Sequence, residues 1–341
     1  MGLGNGSFSW SDLTLSGEDT LVVLSWFIEL LSVFFGTFGN LLVIFSVLTQ
    51  RSLWSSANML VVQLAIFDFG ISTVVQFTAM SGMLWRGEEF YARGNWKAIC
   101  KVFGLICAFC CCASPGALTV ISFNRWLCIT KPQLYPRIFN RRGTTAAIIF
   151  IWLYGSLRLV PYISGRGSVG YDYVLSLCVF SGKSDTFTSL WISIFSIWIP
   201  ISVVALFNVL IFGYVHSIKK SLRKISNNNK DNQLKEEIQL AKTLSIVSVV
   251  LFICLVPLSS GYTFDKDRSW SRPYYLMATA FYHLNSSLNP ILYAAHHRFR
   301  KAYLTLFIKI FTCCGKRESL NNESLRYSSK SIELSSSGLE K

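Results

Sequence analysis

Seven long apolar stretches alternate along the chain with short polar connections, near residues 20–49, 56–84, 97–129, 143–163, 187–215, 239–261 and 273–295. Each is long enough for a helical crossing of a bilayer, which takes about 20 residues. Hydrocarbon leaves no partner for free backbone groups, so the stretches are predicted to be helices. The ten-residue alternation of a membrane barrel is absent. The pattern predicts an all-α membrane protein with a seven-helix transmembrane bundle over 20–295, preceded by a polar segment at 1–19. Beyond the bundle, "HHRFRKAYLTLFIKIF" mixes basic and apolar residues at helical spacing. This predicts a short amphipathic helix lying on the membrane over 296–311. A polar tail, expected to be disordered, follows at 312–341.

Composition agrees: 52% of residues are hydrophobic and 15% charged, against about 25% charged in a soluble domain. The net charge of +14 could suggest nucleic acid, but its distribution excludes that. With the N-terminus outside, 22 of the 32 Lys and Arg fall on inner segments and 8 on outer ones. This is the positive-inside bias of a multi-pass plasma-membrane protein with an extracellular N-terminus. The basic face then meets anionic membrane lipid. Met1–Asp19 lacks the apolar core of a cleavable signal, so the first span is expected to serve in targeting. Of the 10 cysteines, Cys100 and Cys178 fall on the outer side, where oxidation is permitted. They are expected to form one disulfide, the alternative being two free outer thiols. Asn5 begins an outward Asn-Gly-Ser glycosylation sequon, and Cys313 and Cys314 are candidates for palmitoylation.

Polar groups recur inside the apolar stretches in a fixed order: "GNLLVIF" with Asn40, "LAIFDF" with Asp68, "IWLYG" with Trp152, "WIPIS" with Pro200, "CLVP" with Pro257, and "NSSLNPILY" with Asn289, Pro290 and Tyr293. Together with seven spans and the cysteine pair, this set resembles the rhodopsin-like (class A) G-protein-coupled receptors over roughly residues 20–311. The resemblance implies a receptor that binds a ligand outside and activates a heterotrimeric G protein inside. It implies a sodium ion, as allosteric modulator, held among Asp68, Ser114, Asn285, Ser286 and Asn289. The alternative there is a protonated Asp68 in a hydrogen-bonded network. It also assigns a switch to Asn124-Arg125-Trp126, Glu237, Pro257, Asn289, Pro290 and Tyr293. The family's tripeptide opens on an acid where this chain has Asn124, so Glu237 is expected to hold Arg125 in the inactive state. Glu236 and Glu237 also fit an ordinary solvated face, and Arg125 a snorkelling arginine. Leu255, Leu251, Asn208 and Pro115 depart from the family's usual residues along the transmission path. The Ser-rich tail implies arrestin and receptor-kinase partners, or else simply solvates the C-terminus.

"NRW" and "GSVGYDYVLSLCVF" resemble the melatonin receptors, whereas "KPQLYPRIF" and "NPILYAAHHRFRKAY" look more like the medium-chain fatty-acid receptor and its insect relatives. Both groups imply a small, largely apolar ligand and an inhibitory G protein. The expected ligand-binding residues are Gln76, Phe103, Cys107, Ala108, Cys111, Arg158, Tyr162, Tyr282 and His283. Arg158 is a cation inside a span, suited to a carboxylate; its other readings are snorkelling and pairing with the second outer loop. His283 equally fits a packing histidine. Cys107 stands where amine receptors carry an acid, and His283 where opsins carry the retinal lysine, so neither an amine nor a covalent retinal is expected. A light sensor without that linkage and a peptide receptor are the alternatives. A transporter would show internal repeats or broken helices, and neither is present. No nucleophile constellation or metal cluster suggests an enzyme.

Overall fold

The computed structural model describes residues 17–84, 90–91, 93–180, 186–222, 250–265, 268–294 and 297–309, with side chains left out at 17–18, 180 and 218–222. Five helices are long and apolar enough to cross a membrane: Asp19–Thr49, Ser56–Leu84, Gly94–Thr130, Arg141–Ile163 and Thr186–Ser217. They match the first five predicted spans to within three residues at either end. Span six is described over Val250–Phe264, and its predicted start at 239 lies outside the described residues. Span seven is the helix Arg272–Ala294, and a last helix covers 297–309. Span three is the axis of the bundle: 78% of its apolar window is buried inside the protein, against 22% for span four and 33% for spans one and five.

One element escapes the hydropathy pattern. Strands β1 (Val169–Asp172) and β2 (Leu177–Phe180) pair antiparallel, with Val169 opposite Phe180 and Asp172 opposite Leu177. The Asp172 side chain accepts hydrogen bonds from the Val174 and Leu175 amides and so closes the turn. The Cys100–Cys178 disulfide ties β2 to span three. Gly104 lets the hairpin settle there, since a Cβ at that position would stand 2.3 Å from a Val169 methyl. The connection into span seven holds the far side. Arg268 reaches Asp172 at 3.6 Å, and Arg272 donates to the Tyr173 carbonyl and the Ser176 hydroxyl. Asp265 organises that connection by accepting from the Ser269 and Trp270 amides and the Tyr275 hydroxyl. Burial acts to raise its pKa, but these hydrogen bonds outweigh it and hold the carboxylate at about 2.

Prolines inside the spans decide several interhelical contacts. Each removes an N–H and orphans a carbonyl one turn earlier, which hydrocarbon cannot satisfy. Pro290 frees the Ser286 carbonyl, and Asn40 of span one donates to it at 3.0 Å. Pro115 frees the Cys111 carbonyl, and the Tyr282 hydroxyl of span seven donates to it at 2.7 Å. Span five widens to a π turn over Ile194–Trp198 just before Pro200. In that turn the Phe195 carbonyl would look to residue 200 for a donor, and the Tyr154 hydroxyl of span four supplies the bond instead.

A second polar network joins spans one, two and seven. Glu29 is fully buried. Its carboxylate meets His283 Nδ1 at 2.6 Å and accepts from Gln76 Nε2 at 2.9 Å. Gln76 also donates to Ser32 at 2.6 Å, and Ser32 bonds Ser287. Gly36 lets the three helices converge, because a Cβ there would lie 2.1 Å from the Ser72 hydroxyl. A π turn at Ile71–Val75 puts Gln76 in register. In an uninterrupted α-helix Asp68 and Gln76 would sit about 80° apart, and the wider turn takes up that offset so that both face the interior.

Two substitutions test these constraints by thermal unfolding of the purified protein. Tyr282→Phe leaves the Cys111 carbonyl unpaired and should cost about 1–3 kcal/mol. In a Pro115→Ala background the restored amide takes over that carbonyl, and most of the cost should vanish; an equal cost in both backgrounds would refute the pairing. Glu29→Ala should destabilise by about 3–5 kcal/mol, because it strands His283 and Gln76. Glu29→Met combined with His283→Leu should recover most of that loss.

Candidate functional site

Three polar places lie along the bundle axis. In the middle, Asp68 is fully buried. Its two carboxylate oxygens accept from Ser114 at 2.6 Å and Asn289 at 2.8 Å, which joins spans two, three and seven. Asn285 and Ser286 are buried on span seven within about a turn of Asn289. Ser72, four residues beyond Asp68 on span two, has a buried hydroxyl with no partner. One carboxylate among hydroxyl and amide oxygens is the donor set of a hard monovalent cation. Sodium fits these residues; Asp68 would balance its charge, with Ser114 and the span-seven amides adding oxygens.

Toward the disulfide end, a small, narrow cavity lies beneath the hairpin. Its roof is Leu175, Leu177 and Val179, and its wall includes Cys107, Cys111 and Arg158. Arg158 is only 5% exposed, and its Nε has no hydrogen-bond partner. It lies in a single 3-10 turn, Leu157–Leu159, that interrupts span four just before its last four residues, Val160–Ile163. Tyr282 and His283 also line the cavity. Four of the expected ligand residues do not. Gln76 is committed to Glu29 and Ser32. Phe103 packs against the disulfide, and Ala108 against Val169 and Ile192. Tyr162 is 39% exposed in the last turn of the span. Pairing of Arg158 with an acid of the second loop is also absent among the described residues.

At the opposite end Arg125 is half-buried, and its buried Nε has no partner among the described residues. It lines a small cavity together with Val61, Asn208, Leu251 and Tyr293, so spans two, three, five, six and seven all reach it. Asn124 donates to the Tyr135 hydroxyl at 3.4 Å, while its own amide oxygen is left unpaired. Trp126 stacks with Phe123 and Phe207, which anchors span three on span five. The Pro257 carbonyl accepts from Tyr274, and Pro290 packs against Gly39. Asn5, Glu236, Glu237, Cys313, Cys314 and the Ser-rich tail lie outside the described residues.

Hydropathy reasoning missed Glu29 and the three hairpin residues of the cavity roof. Glu29 had a usable signal: it is an acid inside the apolar run "WFIELL", where an ionisable group needs a partner. Nothing local marks the hairpin residues as cavity-lining.

The geometry agrees with the similarities of the chain. The family description "7 transmembrane receptor (rhodopsin family)" matches residues 39–293. Rhodopsin of Loligo forbesii is 28% identical over 298 residues, which cover 82% of this chain and 64% of the rhodopsin. The chain thus spans a little under two thirds of that relative. Melatonin receptor type 1A of Mus musculus is 24% identical over 308 residues, covering 87% of this chain and 84% of the receptor. The crystal structure of squid rhodopsin superposes with a TM-score of 0.68 at 23% identity, over 89% of this chain and 90% of that one, a likeness of fold. The chain belongs to the rhodopsin family of seven-transmembrane receptors, multi-pass plasma-membrane proteins that are receptors and not enzymes.

Proposed function

We propose that this protein binds a small, largely apolar ligand in the cavity under the hairpin and activates a heterotrimeric G protein of the inhibitory class at its Arg125 end. The N-terminus and the disulfide are then extracellular and the Arg125 end cytoplasmic, as the distribution of Lys and Arg requires. Arg125 itself carries the reading. A half-buried guanidinium at the end of span three, its Nε buried without a partner among the described residues and facing a cavity reached by four other spans, is a cation held for a partner or a lock. Its neighbour Asn124 is neutral, and a neutral acceptor holds a guanidinium more weakly than a carboxylate. Glu237, just ahead of the predicted start of span six, supplies the inactive-state lock. Agonist binding favours the conformation in which spans three and six part, through a higher affinity for that state. The inhibitory class rests on the likeness to melatonin receptors. Sodium at Asp68 favours the inactive state. Glycosylation of Asn5, palmitoylation of Cys313 and Cys314, and recruitment of receptor kinase and arrestin by the serine-rich tail complete the proposal.

A light-sensing role has the squid rhodopsin likeness in its favour. A covalent retinal would need an amine where His283 stands, and His283 is bonded to Glu29. An absorption spectrum of the purified protein separates a non-covalent chromophore from a diffusible ligand.

Basal nucleotide exchange on a purified inhibitory G protein tests the switch. Glu237→Ala should raise it several-fold, and Asn124→Asp should lower it, at equal surface expression. Unchanged exchange in both variants would sink the lock. Agonist-free exchange should fall when sodium replaces an equal concentration of N-methylglucamine, and Asp68→Asn should abolish that difference. If the difference survives in Asp68→Asn, sodium acts elsewhere.

A further inference from the structure

We infer that the ligand of the hairpin cavity is a monocarboxylate whose anionic group pairs with Arg158. The inference rests on that cavity being the ligand site and specifies what the site selects.

A guanidinium is always charged, and moving it out of water is costly unless an anion and hydrogen-bond acceptors replace the water. Arg158 is 5% exposed, its Nε has no acceptor, and it has no ion pair among the described residues. The other ionisable groups on the cavity wall leave that charge uncompensated. His283 is engaged by Glu29, the Tyr282 hydroxyl is spent on the Cys111 carbonyl, Tyr262 lies under the Arg268 guanidinium, and Cys107 and Cys111 face each other at 3.8 Å. A second orphan lines the same cavity: Thr279, whose buried hydroxyl has no partner. Threonines within helices commonly bond the carbonyl one turn back, as Thr73, Thr119 and Thr263 do here. Two unsatisfied polar groups facing one otherwise apolar space define what is missing from it.

The missing group is a single anion. Among the described residues one uncompensated cation and no lysine line the cavity, so a phosphate dianion would be under-neutralised. A carboxylate matches the planar fork of the guanidinium with two parallel hydrogen bonds. Leu175, Leu177, Val179, Ile192, Ile197 and Leu258 provide the remaining lining, which calls for an aromatic or aliphatic body. Thr279 would take a second polar atom of the same molecule.

The test uses the purified full-length protein and reads binding through thermal unfolding, independently of any G protein. The probes are 3-phenylpropionate and octanoate, each beside its primary amide, at millimolar concentration. Both carboxylates should raise the unfolding temperature by a few degrees, whereas the amides should not. Arg158→Gln should weaken the carboxylate effect roughly tenfold to a hundredfold, and Arg158→Lys less. Arg158→Met should make the ligand-free protein more stable than the wild type, since it removes an unpaired buried charge. Amides as effective as carboxylates, a response unchanged in Arg158→Gln, or no response to either carboxylate would overturn the inference. So would a loss of ligand-free stability in Arg158→Met, which would mean that an internal anion such as a Cys111 thiolate already satisfies the arginine. Carboxylate binding without G-protein activation would leave the anion site standing and count only against the receptor reading.

Discussion

A proline in a membrane helix takes away a hydrogen-bond donor, and hydrocarbon has none to give back. Three contacts between spans in this protein follow from that deficit. Asn40 answers Pro290, Tyr282 answers Pro115, and Tyr154 answers the π turn ahead of Pro200. Each donor comes from another span, so a local defect in one helix becomes a fixed bond between two. The helices have little hydrophobic reason to associate once all are in lipid. Directional bonds of this kind, with close approach at Gly36 and Gly39, settle which faces meet.

The ionisable groups obey the same rule where they can. Asp68 has Ser114 and Asn289, and Glu29 has His283 and Gln76. Two arginines at the ends of the bundle, Arg158 buried and Arg125 half-buried, do not share in this economy. Arg125 and Arg158 each have an Nε with no partner, and each faces a cavity. In a structure that otherwise satisfies its buried charges, the exceptions mark the places where something from outside is expected to arrive. The Tyr282 hydroxyl couples the two kinds of feature. It bonds the Cys111 carbonyl in the wall of the Arg158 cavity, and span seven carries that connection down to Asn289 and Tyr293.

Sequence reasoning reached the span positions because a bilayer imposes one length and one polarity on every helix. It reached the Asp68 cluster through the family resemblance, and Asp68, Ser114 and Asn289 are joined here by hydrogen bonds. It failed where the answer depended on partners far away in the chain. Gln76 looked like a cavity residue; the π turn at Ile71–Val75 and the acid at Glu29 claim it for span one. Phe103 and Ala108 lie on span three near Cys107, but the hairpin covers them, and a hairpin pinned by Cys178, Arg268 and Arg272 has no signature in hydropathy. Arg158 was legible as a cation in a span, though not whether it had a partner. That is settled only by the absence of any acid at the distance of an ion pair among the described residues.

The hairpin bears on how a ligand gains the cavity. Its Leu175, Leu177 and Val179 form the roof, the disulfide fixes one edge, and Arg268 and Arg272 hold the other. The disulfide edge is covalent. The arginine edge is a 3.6 Å ion pair and two hydrogen bonds, with guanidinium groups over Tyr262, Tyr275 and Tyr173. Among the described residues nothing covalent holds this edge, so it is the weaker of the two. An anionic ligand arriving there would meet Arg268 and Arg272 before it met Arg158 within.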